Sequence, residues 1–341
     1  MLAYCALATA IISQTGSLPR VEDPKMANDA VNLQVRPFLP RFGAEVSGLD
    51  LTQPLSAAAR QAVIDTQNRW GITVWRNTGL TDETHIAFSR NFGQLELAPA
   101  PGGRPFRHQH RELFDASNLD AAGNINKDEL VRLHARGNQI WHTDASFMKI
   151  RTSLSMLLCH EAPPVDGETL FADTRTAYED LPQSTKDRID GLTARHSLWW
   201  SRKLGGYPLS DEDVDARGYV LHPLVHVHKG SGRKALYLAA HARDIDGMPR
   251  EEGVALLREL TEFATQPQYV FAVSYQPGDL VIWDNLCSMH RGGKFDEVNH
   301  RRDMRRTSVR EGDAPTGFDD QFTDLYQAAG ITPFSKASPR H

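Results

Sequence analysis

The chain has 341 residues, 40% hydrophobic and 24% charged, close to ordinary soluble proteins and able to bury a sizeable core in one large domain or two smaller ones. Its 38 basic and 43 acidic residues leave a net charge of −5, and the one basic cluster, HRRDMRR at 300–306, is short, so no nucleic acid or other polyanion is expected as the main partner. Three widely spaced cysteines, Cys5, Cys159 and Cys287, with no CxxC pair, argue against a disulfide framework and a thiolate zinc site and for a reducing, cytoplasmic setting.

The first segment, MLAYCALATAIIS, is apolar, but no basic residue precedes it and no small-x-small cleavage site follows, so it makes a poor secretion signal. Residues 1–30 are expected to be a disordered extension, with Met26 an alternative start. No stretch is long enough to span a bilayer. From Val31 to Phe42 the chain looks extended, and GAEVSGLDL alternates. A helix is predicted over TQPLSAAARQAVIDTQNRWG, with Pro54 and Ser56 as start signals and Gly71 as stop. ITVWRN is a short β-rich run, and TDETHIAFSRNFG is a second helix opened by Thr81 and closed by Gly93.

Residues 95–138 are rich in breakers (APAPGGRP, DAAGNINKDE). The second of these lacks the alternating acidic positions of a calcium loop. LSMLLCHEA and TLFADT read as strands, and RTAYEDLPQSTKDRIDGL as helical. Between 195 and 245 come short apolar runs, HSLWW, YVLHPLVHVH and ALYLAA, separated by turn signals. REEGVALLRELTEFATQ is an amphipathic helix leading to YVFAVSYQPGDLVIWDN, two strands joined through Pro277, Gly278 and Asp279. Strands without strict βα alternation favour an antiparallel sandwich or barrel with helical additions over a doubly wound sheet.

Within NQIWHTDAS, His142 and Asp144 stand two apart, so on a strand their imidazole and carboxylate project from one face. His290, before a Gly-Gly turn, offers a second imidazole. Two histidines and one carboxylate with open positions make the donor set of non-haem Fe(II) oxygenases, although zinc accepts the same ligands. Arg302 follows His290 by twelve residues and directly precedes the β-like DMRRTSV, expected to run antiparallel to the strand ending at the metal. A buried arginine beside a metal needs an anion, and its planar fork suits a carboxylate. Alternation puts Arg302 and Arg306 on one face and Arg301 and Arg305 on the other.

Seven motifs in order, FGAEVSGLDL, FSRNFGQLE, NQIWHTDASF, PPVDGETLFADTRTAYEDLP, SGRKALYLAAHA, GDLVIWDNLCSMHRG and RRDMRRTSV, carry a family resemblance from Phe42 to Val309. The chain resembles the Fe(II)- and 2-oxoglutarate-dependent dioxygenases of the taurine dioxygenase group, and within it the 2,4-dichlorophenoxyacetate dioxygenase branch. The resemblance implies an α+β, mainly β fold, a double-stranded β-helix (jelly roll) with flanking helices and a long insertion. It implies one catalytic domain over 31–315 and a tail over 316–341. His142, Asp144 and His290 would hold Fe(II), with 2-oxoglutarate and O2 as cosubstrates. Arg302 and Thr169 would meet the distal carboxylate of 2-oxoglutarate, Asn138 would lie near cosubstrate and substrate, and Arg306 would meet the anionic head of a small-molecule substrate. Self-association is left open.

The implied reaction is oxidative decarboxylation of 2-oxoglutarate to succinate and CO2, coupled to hydroxylation of a substrate C–H bond. Where taurine dioxygenase supplies a histidine to its sulfonate, this chain has QLELAPAP, which disfavours taurine. A small carboxylate or aryloxyalkanoate is the leading substrate class, with alkyl sulfonates, sulfate esters or purines as alternatives. A catalytically silent jelly-roll binding protein and a zinc hydrolase using the same three ligands are rivals. Residues 95–137 would form a lid over the site. Cys287, His226, His228, Trp199 and Trp200 are expected to pack or hydrogen-bond, and His108, His110 and His134 are not expected to be ligands.

Overall fold

The computed structural model describes residues 31–98 and 107–312. Its central strand, Leu280–Asp284, is buried at all five positions. Because successive side chains alternate, Leu280 and Ile282 face one side, with Met156, Leu158, Val63 and Phe88, while Val281 and Trp283 face the other, with Leu157, Phe171 and Met304. A strand covered on both faces must be apolar throughout, as LVIW is.

That strand pairs with Thr152–Glu161 on one side and Ile72–Trp75 on the other. The seven-stranded sheet runs in the order Gln34–Pro37, Ala44–Ser47, Ile72–Trp75, Leu280–Asp284, Thr152–Glu161, Asp303–Arg310, Phe114–Asp115. Its pairings are antiparallel except Ala44–Ser47 with Ile72–Trp75. A three-stranded sheet, Val270–Val273, Thr169–Asp173 and Ser288–Gly292, packs against its inner face. The Phe171 and Trp283 rings touch across the sandwich at 5.7 Å. This is the jelly roll, mainly β, with helices outside.

Two helices cover the outer face of the large sheet. Ala57–Trp70 starts at Ser56, whose side chain accepts the Ala59 N–H, and stops at Gly71 in the left-handed region (φ 73°). Asp82–Ser89 carries a capping box between Thr81 and Thr84, with Asp82 and Glu83 in its first turn. Arg250–Ala264 buries Gly253, Leu256, Leu257, Leu260 and Ala264, a stripe at helical spacing, against the insertion. Among the described residues no helix is long and apolar enough to cross a membrane.

Several expectations are corrected. RTAYEDLPQSTKDRIDGL is two helices, Thr174–Asp180 and Gln183–Ile189, because Pro182 lacks the N–H that would continue the first and pushes Leu181 out of helical geometry. HSLWW turns from the strand Thr193–His196 into the helix Leu198–Leu204. The strands on either side of Pro277–Gly278 lie in different sheets, so that turn is a crossover. DMRRTSV pairs with Thr152–Glu161 and Phe114–Asp115, not with the strand carrying His290, since that strand belongs to the opposite sheet. The expected extension 1–30, the tail 316–341 and most of APAPGGRP in the expected lid lie outside the described residues.

Candidate metal centre and cosubstrate pocket

His142 and His290 form an isolated antiparallel bridge in which each backbone N–H donates to the other's carbonyl, at 2.9 and 2.8 Å. The bridge joins the insertion's start to the small sheet and leaves the imidazole centroids 4.2 Å apart. Only His142 has bridge geometry; Asp144 lies in a turn with Ala145 at φ 49°, so the expected regular strand is absent. The same-side arrangement survives, because Thr143 points away and donates to the Leu238 carbonyl at 2.8 Å.

The three side chains converge, with His290 Nε2 3.6 Å from Asp144 Oδ2 and His142 Nε2 4.0 Å from Asp144 Oδ1. A single ion with bonds of roughly 2.0–2.2 Å reaches all three after small adjustments. His142 Nδ1 sits 2.7 Å from the Ile140 carbonyl, so its proton belongs there and the Nε2 lone pair faces the centre. Burial pushes both imidazoles towards the neutral, ligating form. Burial alone would raise the Asp144 carboxyl, but Arg306 first, then His290 and His142, hold it below the usual carboxylate range. Two neutral imidazoles and an ionised carboxylate, all buried, fit a divalent cation.

Arg302 points into the sandwich. Its guanidinium donates to the Ala116 carbonyl at 2.8 Å and lies 5.9 Å from the centre of the Tyr275 ring. Among the described residues it has no carboxylate partner, and burial lowers its pKa. Tyr275 Oη donates to Thr169 Oγ1 at 2.8 Å, so Thr169, Tyr275 and Arg302 lie together. Burial pushes the Tyr275 phenol up to about 12, keeping it a proton donor. Tyr275 was missed from the sequence, where only its place beside a Pro-Gly turn marks it.

Arg306 donates from Nη1 to Asp144 Oδ1 and lies over the Phe114 ring. Its neighbours turn outward: Arg301 pairs with Glu161 (2.9 Å), and Arg305 with Asp82 and Asp303. Asn138 is exposed in the turn Gly137–Gln139, whose backbone packs against Gly292 on the strand carrying His290, and its side chain has no hydrogen bond among the described residues. His226 bonds Arg151 and the Leu286 carbonyl, Trp199 and Trp200 pack in a core cluster, and Cys287 is fully buried. His108 and His110 lie 3.7 Å from Asp115 and Glu83, away from the triad.

A jelly roll with a buried His-Asp-His centre, and a half-buried arginine that has no carboxylate partner among the described residues, offers what a mononuclear metal enzyme for an anionic cosubstrate needs. Residues 34–308 match the family described as taurine catabolism dioxygenase TauD, TfdA family. The chain is 40% identical over 278 residues, 79% of its own length and 92% of the other's, to an alpha-ketoglutarate-dependent 2,4-dichlorophenoxyacetate dioxygenase from Burkholderia sp. (strain RASC). It is 32% identical to an (S)-phenoxypropionate/alpha-ketoglutarate-dioxygenase from Sphingobium herbicidovorans, over 78% of this chain and 91% of that protein. The crystal structure of AAD-2 in complex with Mn(II) and N-oxalylglycine superposes with a TM-score of 0.76 at 36% identity, covering 83% of this chain and 99% of that one. The chain belongs to the TauD/TfdA family and is an Fe(II)- and 2-oxoglutarate-dependent dioxygenase.

Proposed function

We propose that the chain hydroxylates a small carboxylate of the aryloxyalkanoate class, releasing succinate and CO2, with the described residues in one catalytic domain over 31–315. The observation that carries the site assignment is Arg302, a half-buried cation without a carboxylate partner among the described residues, whose guanidinium lies against the Tyr275 ring, with Tyr275 in turn bonded to Thr169. Such a charge is costly unless an anion joins it, and the distal carboxylate of 2-oxoglutarate supplies one. His142, Asp144 and His290 hold the metal, which when bound supplies the activation of dioxygen.

The protein's own part is binding and exclusion. Arg302 anchors the cosubstrate, Thr169 and Tyr275 complete its hydrogen bonds, and Trp283 and Phe171 pack against His290 and exclude water. Arg306, on the strand Asp303–Arg310 and bonded to Asp144, lies beside the triad and takes the anionic head of the prime substrate. Asn138 contributes from the rim. Relatives named for 2,4-dichlorophenoxyacetate and (S)-phenoxypropionate support this class, and the buried free cysteines Cys159 and Cys287 fit a reducing cytoplasm.

The test is succinate formation with Fe(II) and 2-oxoglutarate across a panel of aryloxyalkanoates, alkyl sulfates, sulfonates and purines. Turnover confined to aryloxyalkanoates is expected. Turnover confined to a sulfate ester would move the substrate class, absence of 2-oxoglutarate binding would support the silent binding protein, and zinc-dependent ester hydrolysis would support the hydrolase.

A further inference from the structure

Asp144 is held unevenly. Its Oδ2 accepts Ser155 Oγ at 2.7 Å and Trp283 Nε1 at 3.2 Å, whereas among the described residues Oδ1 accepts a hydrogen bond only from Arg306. No β-ladder holds the residue, since it sits in a turn. Its backbone N–H instead donates to Asn285 Oδ1 at 3.1 Å, and Asn285 Nδ2 donates to Ser155 Oγ at 2.9 Å. The directions are fixed: with its oxygen on the N–H, the amide has only its NH2 for Ser155, and the Ser155 proton must go to the carboxylate. One side chain therefore holds Asp144 twice, by its backbone and, through Ser155, by one oxygen.

The turn carrying Asn285 is itself pinned. Asp284 Oδ2 lies 2.8 Å from His228 Nε2, Asp284 Oδ1 accepts the Leu286 N–H at 2.8 Å, and Ser288 Oγ donates to the Asp284 carbonyl at 2.6 Å. His228, Asp284 and Cys287 form a second buried cluster with metal-like spacing, but His228 Nδ1 is engaged by Ser231 Oγ at 2.7 Å and its Nε2 by Asp284. That cluster is a buttress for the turn, packed against the outer face of the sheet, and not a second metal site.

We propose that Asn285 is a positioning residue for the metal centre: acting through Ser155, it holds the Asp144 carboxylate by Oδ2 in one orientation between His142 and His290. A carboxylate free to rotate would lose that orientation and could close one of the positions that a chelating cosubstrate and dioxygen need. The inference rests on the proposed ligand role of Asp144. Supporting residues of this kind typically change metal affinity 10–100-fold.

The experiment measures the dissociation constant for Mn(II) alone on metal-free protein, by the electron paramagnetic resonance of free Mn(II), together with the thermal midpoint of the metal-free protein. Asn285→Ala and Ser155→Ala are expected to bind Mn(II) roughly 10–100-fold more weakly at a nearly unchanged midpoint, and Ser155→Thr, which keeps the hydroxyl, to recover most of the loss. His142→Ala separates the two levels: if it binds Mn(II) like the wild type, the ligand assignment fails. If it loses binding while Asn285→Ala and Ser155→Ala do not, the positioning role is overturned and the ligand assignment stands. Should Asn285→Ala fail to fold, Ser155→Ala decides alone.

Discussion

Replacing Arg302 with methionine, a flexible apolar chain of similar length, tests two sides of one physical statement. In the structure the guanidinium is half-buried, with Tyr275 and Cys159 beside it, one carbonyl as acceptor and no carboxylate partner among the described residues. Without cosubstrate it is an uncompensated charge, and replacing buried ionic groups by apolar ones of similar volume often stabilises by about 1–4 kcal/mol. For a protein of this size each kcal/mol raises the melting temperature by roughly 1–2 °C. With cosubstrate the sign reverses, because truncating a buried charge-assisted pair costs about 2–5 kcal/mol, a loss of roughly 30-fold to 4,000-fold in affinity. Arg302→Met is therefore expected to melt higher than the wild type when unliganded and to lose the upward shift that 2-oxoglutarate gives. Differential scanning fluorimetry and anaerobic titration of the Fe(II) protein with 2-oxoglutarate read both sides. Wild-type affinity for 2-oxoglutarate would refute the anchor, and a melting point well below the wild type would show that the arginine is a structural hub.

The remaining predictions concern charge, protons and packing. Arg306→Gln is expected to raise KM for the anionic substrate or uncouple 2-oxoglutarate decarboxylation from hydroxylation, with a smaller change in 2-oxoglutarate affinity than Arg302→Met gives; the opposite ranking would exchange the two roles. Glu96 is 1% exposed, and burial pushes its carboxyl up to about 7, so its share of stability is present below pH 4.5 and lost as pH rises through 7. Glu96→Gln should flatten that loss, by up to about 3 kcal/mol at pH 8, in urea melts taken from pH 5 to 8. His85 shifts the other way: burial lowers it to about 4, so the stability tied to its neutral form is present above pH 6.5 and lost as pH falls towards 4. His85→Gln should therefore weaken the dependence of urea midpoints on pH between 6.5 and 4. Gly43→Ala would place a methyl 2.3 Å from the Phe271 ring at φ 71°, and should cost about 1–3 kcal/mol in the same urea assay.

Much of the scaffold was legible because its signals are local. The Ser56 and Thr81 caps, the Gly71 stop and the stripe of Arg250–Ala264 each lie within a few residues of what they control, and LVIW needs only its own composition to read as a strand buried on both faces. His142, Asp144 and His290 were nameable because their residue types and motifs identify them, and alternation separates Arg306 from Arg305, whereas Arg301 and Arg302 precede the strand. Tertiary structure decided how these groups are held. Tyr275 reaches Thr169 across 106 residues, Asn285 reaches Ser155 across 130, and Trp283 reaches Asp144 across 139. Such bonds have no period and no neighbouring cue, because they arise only when two sheets close on each other. The same closure sets the arginine strand against Thr152–Glu161 instead of the His290 strand, and lets Asp144 leave strand geometry for a turn whose backbone N–H is satisfied by a side chain 141 residues further along the chain.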